Sequence, residues 1–164
     1  MVNRMTADPR RWKALAVVCA AFFMTVLDVS IVNVALPSIG KSLHFSETSL
    51  QWVVTAYAIT FGGFLLLGGR MADLLGRRRI FLVGLTLFTL ASLTCGLASS
   101  AGVLILSRAV QGVGAAIVSP ATLSIITTTF EEGSERNKAL GIWGAMGGSG
   151  AAAGVLFEIG RAHV

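Results

Sequence analysis

The chain has 164 residues, of which 54% are hydrophobic and only 13% charged, and 19 are glycine. With a mean hydropathy of +0.78, that composition excludes an ordinary soluble domain and predicts an all-α polytopic membrane protein. The net charge of +5 gives no nucleic-acid site, because the basic residues gather at the ends of apolar runs, where they meet anionic headgroups and set orientation.

Residues 1–13 are polar and carry Arg4, Arg10, Arg11 and Lys13, with Pro9 as a helix-start signal. This reads as a short basic N-terminus on the cytoplasmic side. The first apolar run, about 14–36, is too long for a signal-peptide core and lacks a small-residue cleavage site followed by polar sequence, so it is expected to stay in the membrane as a helix. Pro37 is expected to end it, and Ser46-Glu47-Thr48-Ser49 offers caps for the next helix. Trp52 and Tyr57 lie near that boundary, as an aromatic belt places them.

The second span is expected over about 50–68, the third over 80–97 and the fourth over 102–127, the last with a kink at Pro120. Between spans two and three, Gly69 to Arg79 packs four arginines and Asp73 into a charged hinge. Gly69 and Gly76 are where it can tighten, and Asp73 is placed to accept hydrogen bonds from arginine or from a helix N-terminus. Glu131 to Lys138 reads as a charged loop before an incomplete fifth span, about 139–157. The domain reading is therefore a basic N-terminus, four complete transmembrane helices and a truncated fifth. Residues 158–164 are set apart as a non-native tail, since Glu158, Arg161 and His163 fall where hydrocarbon is expected and a common sequencing adapter read in frame encodes this peptide. Arg4, Arg10, Arg11, Lys13, Arg70, Arg77, Arg78, Arg79, Arg136 and Lys138 fall on one side of the membrane, against Lys41 on the other, which makes the richer side cytoplasmic.

Two charges lie inside the spans. Asp28 is about eight residues from the outer end of the first span, or ~12 Å deep, and a carboxylate there costs ~3 kcal/mol on insertion scales. Arg108 enters from the same surface in the fourth span and sits ~9 Å below it. A pair or a shared aqueous pocket is physically sensible, with a structurally satisfied aspartate and an outward-snorkelling arginine as the plain alternatives. Gln111 and Gly112 share the face of Arg108, and Ala115 and Ala116 continue it. Cys19 and Cys95 lie in apolar runs, far from His44 and His163, so they read as small core residues rather than a disulfide or metal set.

Several of these stretches resemble one family. Gly-x-x-Ala-Asp-x-x-Gly-Arg-Arg-Arg, from Gly69 to Arg79, resembles the cytoplasmic loop signature of the major facilitator superfamily of secondary transporters. Leu27 to Pro37 resembles the first-span signature of its drug:proton antiporters, particularly the branch with fourteen spans, and Gln51 to Tyr57 is similar to the start of the second span there. Leu104 to Ala116 looks like the fourth-span signature, whose arginine is associated in the family with proton coupling. Gly141, Gly150 and Gly154 match the glycine spacing of the antiporter signature, which departs at Val155, where proline is the rule, and at Glu158 and Ile159, where glycines are.

The resemblance covers essentially residues 13–157 and implies the N-terminal portion of a major-facilitator helix bundle in the cell membrane, from a proton-coupled multidrug efflux transporter. It implies roles in proton coupling and the substrate cavity for Asp28, Asn33, Arg108 and Gln111, and a conformational gating loop at Gly69, Asp73, Gly76, Arg77 and Arg78. Gly112, Gly141, Gly150 and Gly154 become helix-packing glycines. Implied partners are the lipid bilayer, protons, hydrophobic or cationic small molecules and a C-terminal part of the transporter. No cofactor is implied, the proton gradient being the driving force, and no nucleophile-and-base pair marks an enzyme. A facilitator alternates access about two halves, so the fragment is expected to be inactive alone. Two readings stay open beside this one: a solute:proton uptake symporter of the same superfamily, and a non-transporting truncated membrane protein.

Overall fold

The computed structural model describes residues 10–42 and 45–162. Five helices follow one another: α1 (Arg10–Ser42), α2 (Glu47–Leu75), α3 (Arg77–Gly96), α4 (Ala101–Thr129) and α5 (Ser134–Ala162), with no strand among the described residues. Long apolar runs become helices in lipid because the bilayer offers nothing to a backbone N–H or C=O, and a helix satisfies both within itself. Among the described residues, α1 to α4 are long and apolar enough to cross a membrane.

Every helix begins ahead of the apolar run that announces it. α1 has 33 residues, about 50 Å at 1.5 Å per residue, against a hydrocarbon thickness of ~30 Å. Pro37 does not end this helix, contrary to expectation, but lies inside it. A proline removes one ladder hydrogen bond, which a long membrane helix tolerates. The chain turns later, where the Phe45 N–H donates to the Gly40 carbonyl at 3.1 Å. Ser46 then caps α2 as its sequence position indicates, its Oγ accepting from the Ser49 N–H at 3.2 Å, and Ser100 caps α4 through the Val103 N–H at 3.4 Å.

The charged hinge is also tighter than expected. α2 runs through Gly69 to Leu75 and α3 starts at Arg77, so the reversal falls on Gly76 alone, at a φ of 98° that glycine takes without penalty. Gly69 is a packing residue instead: a Cβ there would lie 3.6 Å from Pro120 Cβ. The loop before α5 is likewise short, since Glu135, Arg136 and Lys138 already belong to the helix. α5 continues through residues 158–162 of the segment read as a tail, while His163 and Val164 lie outside the described residues.

α4 is the axis on which α2 and α3 pack, while α1 pairs chiefly with α5. The α4 contacts are backbone-close. A Cβ on Gly68 of α2 would be 2.9 Å from Ile117 Cα, one on Gly84 of α3 would be 2.7 Å from Ile117 Cγ2, and one on Gly114 would be 2.7 Å from the Phe88 nitrogen. A Cβ on Gly112 would run into Thr60 Oγ1 and lie 2.6 Å from the Tyr57 carbonyl oxygen. Small residues replace side-chain bulk with backbone contact, which is what drives helix association when lipid is as apolar as leucine.

On the other side, Gly150 of α5 approaches Val26, where a Cβ would be 2.7 Å from Val26 Cγ1, and the Ser30 Oγ donates to the Gly150 carbonyl at 3.2 Å. Phe22 stacks on Trp143 at 4.5 Å between ring centroids. Gly141, expected to pack, faces open space within 4 Å, and the surroundings of Gly154 lie outside the described residues. The expected outcome is that Gly112→Ala lowers stability by ~1–3 kcal/mol through overpacking, whereas Gly141→Ala, at an open helical position, raises it by up to ~1 kcal/mol. Thermal unfolding of the detergent-solubilised chain, followed by circular dichroism, compares the two.

Candidate functional site

α1 and α4 bring their buried charges together. Arg108 Nη1 lies 2.5 Å from Asp28 Oδ2, closing an ion pair between residues 80 positions apart. The same Nη1 donates to Gln111 Oε1 at 2.7 Å, and Gln111 Nε2 donates to Asp28 Oδ1 at 2.7 Å. Asp28, Arg108 and Gln111 thus form a closed ring of hydrogen bonds. Gln111 enters it because residues three apart on a helix share a face. Arg108 and Gln111 are 2% and 0% exposed, and the Asp28 side chain, at 16%, is the member through which the ring meets its surroundings.

α2 completes the seat of the guanidinium. Arg108 Nε donates to the Val53 carbonyl at 3.4 Å, and its Cζ stands 4.3 Å from the centroid of the Tyr57 ring. A cation over an aromatic face is attracted by the ring quadrupole, more so when water is excluded. Tyr57 therefore corrects the belt expectation: it is buried, whereas Trp52 is 49% exposed. The two are five residues apart, about 140° around the helix, so only one can face lipid. Val53 and Tyr57 are spaced i, i+4 and share a face. That spacing was visible in the sequence, but nothing there named α4 as the neighbour. Cys95 of α3 was also missed, its Sγ donating to Gln111 Oε1 at 3.5 Å.

Other expected residues stand apart. Asn33 is exposed on α1, about one and a half turns from Asp28, and does not join the ring. At the other end of α2, Asp73 Oδ1 and Arg77 Nε are 3.8 Å apart across the Gly76 turn, with both side chains substantially exposed, and Arg78 is exposed. Such a pair contributes at most ~0.5 kcal/mol. A tighter ion pair, unforeseen in the sequence, links α1 to α5: Arg11 Nη1 and Nη2 donate to Glu135 Oε2 and Oε1 at 2.7 and 2.8 Å. Beside it, Trp12 meets Phe130 edge to face at 5.2 Å.

The sequence profile of the Major Facilitator Superfamily matches residues 18–159. The chain belongs to the Major Facilitator Superfamily. This facilitator chain is 56% identical over 149 residues to the puromycin resistance protein pur8 of Streptomyces alboniger, covering 91% of this chain and 30% of that protein. It is 50% identical over 143 residues to the cephamycin export protein CmcT of Amycolatopsis lactamdurans, with 87% and 29% covered. Against the multidrug resistance protein Stp of Mycobacterium tuberculosis (strain CDC 1551 / Oshkosh) it is 46% identical over 132 residues, covering 80% of this chain and 25% of that one. The chain thus spans less than a third of the length of these curated relatives. In fold it is similar to a crystal structure of a bacterial homolog to the human lysosomal transporter Spinster, in an inward-facing and unoccupied conformation, with a TM-score of 0.79 at 23% identity over 90% of this chain and 31% of that one.

Removing one partner from a buried pair leaves an uncompensated charge, which costs about 3 kcal/mol or more. Asp28→Ala is expected to destabilise the bundle by about that amount, and Asp28→Ala with Arg108→Leu by less than the two single changes together. A double-mutant cycle on thermal or denaturant unfolding measures the difference; additive losses would mean the two side chains do not interact.

Proposed function

We propose that this chain is the N-terminal part of a proton-coupled multidrug efflux transporter, with its N-terminus in the cytoplasm and its driving force the proton gradient. The observation that carries the reading is the Asp28–Arg108–Gln111 ring, one carboxylate and one guanidinium held at the buried junction of α1, α2 and α4. Relatives named for puromycin resistance, cephamycin export and multidrug resistance support it as well.

In this mechanism Asp28 is the proton carrier. Ionised, it neutralises Arg108 and ties α1 to α4. Protonated, it leaves the guanidinium without a counter-charge in a low-dielectric site, and the tie between the two helices weakens by several kcal/mol. A cationic drug at the same carboxylate competes with the proton, so the two ligands favour different states of one two-state bundle, which is what exchange requires. Asn33 and Gln111 line the substrate cavity in this reading. Asp73, Arg77 and Arg78 around Gly69 and Gly76 bias the state in which the cavity is closed on their side. The chemistry is transport without bond making, so neither an enzyme active site nor a redox, nucleotide or metal cofactor is called for. The substrates are hydrophobic or cationic small molecules, and a C-terminal part supplies the second wall of the cavity, without which this polypeptide alone is inactive.

The test is efflux of a fluorescent cation from cells carrying the full reading frame of the source locus. Efflux should be abolished by a protonophore and fall at least tenfold in Asp28→Asn, while cells carrying residues 1–164 alone show none. Efflux that is untouched by the protonophore, or undiminished in Asp28→Asn, overturns the reading.

A further inference from the structure

We propose that Gln111 is a positioning residue whose side-chain amide turns end for end when Asp28 takes up a proton, and so carries the protonation of α1 to Arg108 on α4. The inference rests on the proton-coupled reading above and adds a moving part to it.

The orientation of the amide in the ring is dictated by its neighbours. Arginine can only donate and an ionised carboxylate can only accept, so Oε1 must face Arg108 and Nε2 must face Asp28. This is the arrangement seen, with both bonds at 2.7 Å. Protonation on Oδ1 of Asp28 reverses one side of that logic. A proton from hydronium adds to the carboxylate and leaves a water molecule, no bond to carbon changes, and the new O–H needs an acceptor where Nε2 now offers only donors. Gln111 is 0% exposed, so bulk water does not reach its amide to satisfy Nε2 in place of the carboxylate. A half-turn about the terminal torsion relieves the conflict at Asp28 by bringing Oε1 to the acid O–H, and transfers it to Arg108.

The same half-turn sets Nε2 against Arg108 Nη1, donor facing donor. Arg108 then loses its Gln111 acceptor and keeps the Val53 carbonyl, the Tyr57 face and the uncharged acid oxygen. The guanidinium is pushed towards α2. One proton on α1 thus acts on Arg108 of α4 twice, directly through the lost counter-charge and again through the uncharged Gln111 side chain that touches both. The group facing Asp28 directly is Arg108 from α4; the Tyr57 ring from α2 stands over that arginine, and the Cys95 thiol from α3 reaches Asp28 only through Gln111. α5 turns the Gly150 backbone towards this part of α1 and brings no charged side chain to it among the described residues.

Cys95 supplies a reporter. Its S–H donates to Oε1 in the present arrangement, and after the turn Nε2 occupies that place, where sulfur is at most a weak acceptor. The experiment is an infrared pH titration of the 164-residue chain reconstituted in lipid bilayers. The carboxyl band is assigned by its absence from Asp28→Asn and the S–H band by its absence from Cys95→Ala. As pH falls, the carboxyl band should rise and the S–H band should move to higher frequency with the same midpoint, and in Asp28→Asn the S–H band should ignore pH. In Gln111→Met, which keeps volume and removes the amide, the S–H band should start at its unbonded frequency and stay there. A carboxyl band that titrates while the S–H band of the unsubstituted chain stays put overturns the amide turn and leaves the proton reading standing. The absence of any titrating band from Asp28 overturns both.

Discussion

A guanidinium cannot be given up cheaply in the middle of an apolar bundle, and Arg108 is 2% exposed. Its charge is always present, so the surroundings must answer it with acceptors, a counter-charge and a π face. The answers come from different helices: Asp28 from α1, the Val53 carbonyl and the Tyr57 ring from α2, Gln111 from α4 itself, with Cys95 of α3 behind the glutamine. Each of these distances is short only if the helices lie in one relative placement. Gly112 belongs to the same constraint, because it lets α2 come near enough for Val53 and Tyr57 to reach the arginine one turn away.

Around that centre the bundle uses two kinds of contact. α2 and α3 meet α4 through glycine and alanine in backbone-close packing, with polar contacts concentrated where Val53, Tyr57 and Cys95 meet Arg108 and Gln111. The α1 and α5 pair shares a buried apolar cluster with this block, in which Leu15, Val18 and Ala139 join Ile117, Val118 and Ala121, and adds separated polar or aromatic points: the Asp28 ring, the Trp143 indole N–H donating to Thr122 at 3.3 Å, and the Trp12–Phe130 contact beside the Arg11–Glu135 ion pair. Dispersion over a continuous seam resists any displacement a little at every atom. A few directional bonds resist strongly until one is broken and then scarcely at all.

Much of this was legible in the sequence. Apolar runs of spanning length fixed the helices, and Asp28, Arg108 and Gln111 stood out because polar groups in such runs are costly. The depth estimate placed Asp28 and Arg108 at one level, and a shared face placed Gln111 beside the arginine. What could not be read was lateral neighbourhood. Tyr57 looked like an interfacial aromatic because its distance along the helix was known and its azimuth relative to α4 was not. Pro37 was overvalued as a stop because the rule comes from helices in water, where a lost hydrogen bond invites solvent. The Gly147 contact with Phe22, at 3.1 Å for an added Cβ, and the open setting of Gly141 differ only in which side of α5 they occupy. Composition is silent on that difference.

The reversal between α2 and α3 is made by Gly76 alone. A connection one residue long has no slack in which a rotation can dissipate, so the two helices cannot tilt independently near that end. α4 packs against both of them through its glycine seam, Gly112 and Gly114 among its members. The placement of the arginine-rich corner, Arg77 to Arg79, relative to the end of α2 is therefore set by one backbone angle.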